Sequence, residues 1–156
     1  MESEGSSLWF ESNEEGWTRG GRISPNQTDL DLEYWWQNDR EGVEHEPPVF
    51  RINLEGSPFE EGLIEHTWIL ADEEWMKIET TGPGIMVGVR AIAVQNTDDG
   101  TIVCMAWPRA LAAGVGGNQI TLSLEPVEIS MRHRYHLRGK VYLLEAGLDV
   151  LADRIS

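Results

Sequence analysis

TDLDLEYWW, residues 28–36, reads polar and apolar by turns. In an extended chain Leu30, Leu32, Tyr34 and Trp36 fall on one side, and Asp29, Asp31, Glu33 and Trp35 on the other. Side chains of a strand alternate between two faces, so this period marks a half-buried strand, whereas a helix repeats its apolar positions about every 3.6 residues. The stretch is therefore a strand with one face toward a core and an acidic row on the other.

The same period recurs outward along the chain. VFRINL sets Phe50, Ile52 and Leu54 against Arg51 and Asn53. LIEHTWIL and EEWMKIETT read as two strands joined by a turn at Ala71-Asp72-Glu73. IMVGVRAIAVQ and TIVCMAW are apolar on both faces, as central strands covered on each side should be. ITLSL and VEISMRHRYHLR continue the series. Turn chemistry separates the runs at Gly42, Pro47-Pro48, Gly56-Ser57-Pro58, Gly82-Pro83-Gly84 and Gly114–Asn118. NTDDG, between two apolar runs, is the clearest hairpin signal.

About eight to ten short strands at this spacing predict an all-β fold, an antiparallel β-sandwich of jelly-roll type. Helical spacing occurs once, in LDVLADRIS, where Leu148, Leu151, Ala152 and Ile155 share a face. A short C-terminal helix capping the sandwich is expected there. Residues 1–7 are expected to be disordered and residues 8–156 to form a single β-sandwich domain.

Composition narrows the function classes. The 27 Asp and Glu against 12 Lys and Arg leave a net charge of -15, which repels nucleic acid and anionic membranes, so neither is an expected partner. No apolar run approaches the roughly 18 residues a spanning helix needs. MESEGSS lacks the basic and apolar segments of a signal peptide, and the cytoplasm is the expected compartment. Cys104 is the one cysteine, so no internal disulfide can form, and TIVCMAW reads as a buried setting for it.

Against this acidity stands MRHRYHLRGK, residues 131–140, with four of the 12 Lys and Arg and two of the four His. Continued as one strand from Val127, it places Arg132, Arg134, His136 and Arg138 in a row, with His133 and Tyr135 on the opposite, apolar face. Guanidiniums spaced roughly 7 Å apart suit carboxylate, phosphate or sulfate, because Arg offers planar paired donors. Asp29, Asp31 and Glu33 form an acidic row of the same pitch, so cross-strand neutralisation is the competing explanation. His136 is the best placed of three candidate catalytic residues; His133 and Tyr135 read more simply as a core pair.

Among the seven tryptophans, Trp35 and Trp17 have polar surroundings and are expected to offer a stacking surface for a sugar ring. DLDLE and EGVEHE lack the ligand spacing of a metal site, GVGGN lacks the Lys-Ser or Lys-Thr of a phosphate loop, and neither metal nor cofactor is expected. No nucleophile motif surrounds Ser57, Ser123 or Ser130. Strand count, tryptophans and polar rows together resemble the jelly-roll domains of sugar-active proteins, a likeness of architecture that carries no activity by itself.

The expected function is a non-catalytic module binding an acidic carbohydrate or other small anion through Arg132, Arg134, His136, Arg138, Trp35 and Trp17. Two alternatives stand beside it: a lyase or hydrolase acting on an acidic sugar in the same groove, and an assembly subunit using that face against another protein or a second copy.

Overall fold

The computed structural model describes residues 2–4, 7–14, 16–26, 29–39, 43–46, 49–57, 59, 66–78, 82–85, 89–96, 100–116, 118–125, 127–145 and 147–155. Its strands are β1 (Glu2–Glu4), β2 (Ser7–Glu14), β3 (Trp17–Asn26), β4 (Asp29–Asn38), β5 (Val43–Glu46), β6 (Val49–Asn53), β7 (Thr67–Ala71) and β8 (Glu74–Lys77). They continue with β9 (Gly82–Ile85), β10 (Val89–Gln95), β11 (Ile102–Ala106), β12 (Ala110–Gly116), β13 (Gln119–Leu124), β14 (Val127–Ser130) and β15 (Arg134–Leu144). Helix α1 (Leu148–Ile155) follows.

Every strand pair is antiparallel. A nine-stranded sheet runs β1-β2-β3-β4-β15-β11-β10-β7-β8, a four-stranded sheet runs β6-β13-β12-β9, and β14 pairs with β5. Three of these pairs nest: β4 with β15, β5 with β14, and β6 with β13. One antiparallel ribbon thus passes from the large sheet, through the two-stranded one, to the small sheet. That coiling is the jelly-roll character, and the fold is the antiparallel sandwich with a C-terminal helix that the alternation predicts.

The core lies between the two larger sheets. Trp36, Ile92, Val94 and Met105 of the large sheet meet Val115, Ile120 and Leu122 of the small one, all nearly or fully buried. Burying such side chains contributes about 1.5–3 kcal/mol each. The other face of the large sheet is covered in part by α1, whose Leu148, Leu151, Ala152 and Ile155 pack on Leu70, Ala91, Ala93, Ile102, Cys104 and Tyr142. Cys104 is the buried apolar residue its setting predicts, and burial pushes its thiol pKa up. The Trp75 indole, donating to the Leu148 carbonyl at 2.8 Å, fastens the start of the helix.

Local chemistry explains where the chain departs from expectation. VEISMRHRYHLR is two strands, not one. Arg132 adopts φ 65°, and a left-handed residue ends the extended run. Asn38 seals the break: its amide side chain donates to the Ile129 carbonyl at 2.9 Å, and its own carbonyl accepts from the Arg132 amide at 2.6 Å. The chain's glycines also mislead. Gly82-Pro83-Gly84, expected to turn, lies in edge strand β9 against β12. Gly114 to Gly116, expected in a turn, belong to β12.

β2 and β3 carry no clean alternation, and aromatic rings from the neighbouring strands fill the space above the two glycines of β3. Trp35 lies against Gly20 and Phe10 against Gly21, each so close that a Cβ would collide with the ring. Glu2–Glu4, within the stretch expected to be disordered, run along β2. The β7–β8 turn is where it was expected, with Asp72 and Glu73 at φ 50° and 68°, the geometry of a two-residue hairpin loop. Gly42, Pro47, Pro48, Pro58 and the Asp98-Asp99 of the expected hairpin lie outside the described residues; β10 and β11 do pair on either side of that hairpin.

Candidate functional site: an arginine-lined cleft beside the C-terminal helix

Strand β15 lies between β4 and β11, and its register decides the fate of the basic row. His136 stands opposite Trp35, Arg138 opposite Glu33, Lys140 opposite Asp31, and Tyr142 opposite Asp29. All of these occupy the face of the large sheet turned away from the core. The acidic row of β4 therefore answers the basic row of β15. His136 Nδ1 is 3.3 Å from Glu33 Oε1, and Lys140 Nζ is 3.3 Å from Asp31 and 3.6 Å from Asp29. The hydrogen bond from Lys140 to Asp31, more than the nearby Asp29 charge, moves the lysine pKa upward. Arg134 reaches Glu11 at 3.8 Å and Gln37 at 3.3 Å. Much of the positive charge is thus neutralised by neighbouring strands.

Arg138 is the exception in this row. Glu33 is flanked by two arginines across three adjacent strands, Arg22 on β3 and Arg138 on β15, while its oxygen goes to His136. Neither arginine has an ion-pair partner among the described residues. Adjacent strands are about 4.8 Å apart, so the two arginine backbones are separated by roughly 10 Å, a span two long side chains can bridge around one anion. They line a cleft of about 610 Å³ that also receives Arg90, Arg154, Asp31 and Tyr142. Burial beneath the helix is the chief cause that raises the Tyr142 phenol pKa.

The remaining expected site residues disperse. Arg132 sits in the break before β15, outside the row. His133, expected in the core, is exposed, because the break lifts it off the strand. Tyr135 faces inward as expected, packs on Trp36 with ring centroids 4.9 Å apart, and accepts a hydrogen bond from Arg109 at 3.1 Å. The three candidate catalytic residues thus occupy three separate environments.

The tryptophans require correction as well. Trp17 and Trp35 are each only 8% exposed. Trp17 belongs to the core cluster, and Trp35 is laid flat over Gly20 with its indole donating to Glu11 at 2.9 Å. Neither offers an open stacking surface. Arg22, Arg90 and Arg154 were missed because each lies on a distant segment. The signal for Arg22 was present in GGRISP, where an arginine follows two glycines that aromatic rings cover.

No protein-family model and no curated protein sequence matches the chain. Among solved structures, the Slr1438 protein of Synechocystis sp. PCC 6803 superposes with a TM-score of 0.61 at 6% identity, over 90% of this chain and 61% of that one. A galactose mutarotase-like protein of Lactobacillus casei ATCC 334 gives 0.53 at 9% identity, over 88% of this chain and 69% of that one. The chain thus spans about three fifths of the Synechocystis protein's length. Likeness at these identities is likeness of fold alone, and it agrees with the β-sandwich described above.

Proposed function

We propose that this protein is a β-sandwich module that binds an acidic carbohydrate in the cleft beside α1. The observation that carries this reading is the pair of guanidiniums, Arg22 and Arg138, flanking Glu33 without acid partners among the described residues and facing a cleft of about 610 Å³. Arginine pairs hold a carboxylate or sulfate through parallel charged hydrogen bonds. Asp31 and Glu33 in the same wall accept hydrogen bonds from sugar hydroxyls. Donors for the anion and acceptors for the hydroxyls are what an acidic sugar requires. The mutarotase-like neighbour adds support from fold alone. Binding without catalysis is the form favoured here, because His133, Tyr135 and His136 do not converge on the cleft.

The test is a titration of uronate and sulfated oligosaccharides against wild type and the Arg22→Gln/Arg138→Gln double variant. Affinity for the best acidic glycan should fall at least about tenfold in the variant, equivalent to ~1.4 kcal/mol. Folding stability should change by about 1 kcal/mol or less, since both side chains are exposed. Arg134→Gln, which disturbs the contacts with Glu11 and Gln37, should leave affinity unchanged. An acidic-glycan panel without a single binder, or a double variant that binds as wild type does, overturns the reading.

A further inference from the structure

The cleft beside α1 extends past the arginine pair, and an irregularity in β10 decides what stands further along it. Val89 pairs with Ala71 and Ala91 with Leu70, so β10 carries one residue more than β7 at Arg90, a β-bulge. In regular alternation Val89 and Ala91 would share a face. Instead Val89 belongs to the core between the sheets, and Ala91 packs beneath α1 on the outer face. A bulge of this kind re-aims a side chain. Arg90 is exposed and lines the cleft together with Arg138, so it turns outward with Ala91. The run VRAIAVQ hides this, because unbroken alternation would send Arg90 to the face opposite Ala91.

Arg90 is thereby the third arginine of a series that crosses the sheet. The order β3-β4-β15-β11-β10 puts Arg22, Arg138 and Arg90 on every second strand. Arg22, Glu33 and Arg138 stand in one cross-strand row. Lys140, Ala106 and Ala91 stand in another, two residues further along β15, which brings Arg90 to within one residue of the first row. Ala106 lines the cleft between Arg138 and Arg90 without a long side chain to fill it. Like the other two, Arg90 has no ion-pair partner among the described residues. It also borders a recess that holds Asp72, Glu73 and Glu125, yet it pairs with none of them, and Glu125 goes to Arg109.

Resting on the carbohydrate reading above, we infer that the ligand is an acidic oligosaccharide laid across the strands, with one anionic group between Arg22 and Arg138 and a second at Arg90. An anion between Arg22 and Arg138 lies over β4. Three strand spacings, roughly 15 Å, separate β4 from β10, which is beyond the reach of a single arginine side chain. Arg90 therefore takes an anionic group of its own, and a sugar with one charge cannot supply both. Once the first group is held, the second contact forms within the same complex, so affinity rises with the number of charged rings.

The probes are galacturonate and tetragalacturonate, with glucosamine 6-sulfate and a heparin tetrasaccharide as the sulfated pair, titrated by calorimetry. Wild type should bind the longer member of at least one pair at least about tenfold more tightly than the shorter. Arg90→Gln should weaken the longer ligand about tenfold and leave the shorter within about twofold. Its side chain is exposed, so the variant should melt as wild type does. Arg22→Gln/Arg138→Gln should weaken both ligands, since both use the first contact. Arg134→Gln removes one charge outside the cleft and should weaken neither. Equal affinity for long and short ligands in wild type, or undiminished binding of the longer one by Arg90→Gln, overturns the inference and leaves the carbohydrate reading standing. A loss as large from Arg134→Gln overturns it too, because Arg90 would then act only through net charge. Failure of all four probes to bind wild type overturns the carbohydrate reading and the second contact together.

Discussion

Asn38 ties its backbone amide, its carbonyl and its side-chain amide into one junction. Fully buried at the end of β4, it receives the Arg132 amide, donates its own amide to the His133 carbonyl at 3.3 Å, and sends its side chain to the Ile129 carbonyl. These bonds join β4, β14 and the start of β15, and so fix the register that puts Arg138 beside Glu33. Removing the side chain leaves a carbonyl of a buried segment without its donor, a loss worth about 1–3 kcal/mol. Asn38→Ala should therefore lower unfolding free energy by that amount in chemical denaturation. Asn38→Asp should fall further, because a carboxylate cannot donate to the Ile129 carbonyl. A change below about 0.5 kcal/mol in both variants would show that the junction is held by backbone pairing alone.

Within single elements, alternation was a reliable guide wherever one strand contained all the relevant information. TDLDLEYWW became β4 with the expected faces, VFRINL became β6 with Phe50 and Ile52 inward, and LDVLADRIS became α1. The failures came where the deciding partner sat on another strand. Trp35 has polar neighbours along its own chain, yet Gly20 across the ladder gives its ring a flat place to be buried. The break at Arg132 was equally hidden, since a left-handed turn normally announces itself by Gly or Asn. Of the expected ligand row, Arg138 lines the candidate cleft, while its companions there come from β3, β10 and α1. The structure of the break makes its own prediction. Arg132→Gly relieves a strained φ, worth roughly 1–2 kcal/mol, against an entropy cost of about 0.4–1 kcal/mol in the unfolded chain. Stability should stay level or rise by about 1 kcal/mol, and glycan affinity should not change. A tenfold loss of affinity in denaturation-matched samples would return Arg132 to the site.

At the scale of the whole molecule, the charge balance governs how stability responds to salt. The chain has 27 acidic side chains and 12 Lys and Arg, so pairing every cation would still leave an excess of 15 carboxylates. The pairs that do form, such as Arg109–Glu125 at 3.3 Å and Lys140–Asp31 at 3.3 Å, are half exposed. Exposed pairs of this kind contribute about 0–1 kcal/mol each, and added salt weakens them. The same salt screens the repulsion among the excess carboxylates, whose spacing over a small domain is comparable with the Debye length of about 30 Å at 0.01 M but exceeds its ~8 Å value at 0.15 M. Repulsion acts through every uncompensated charge, attraction only through a few local pairs, so screening should favour the folded state. For a chain of this size about 1 kcal/mol corresponds to roughly 2–4 °C in melting temperature. Calorimetry in dilute buffer and again with sodium chloride added to about 0.15 M should show a rise of that order. A melting temperature that stays flat or falls would mean that the carboxylates are dispersed widely enough for the local pairs to dominate.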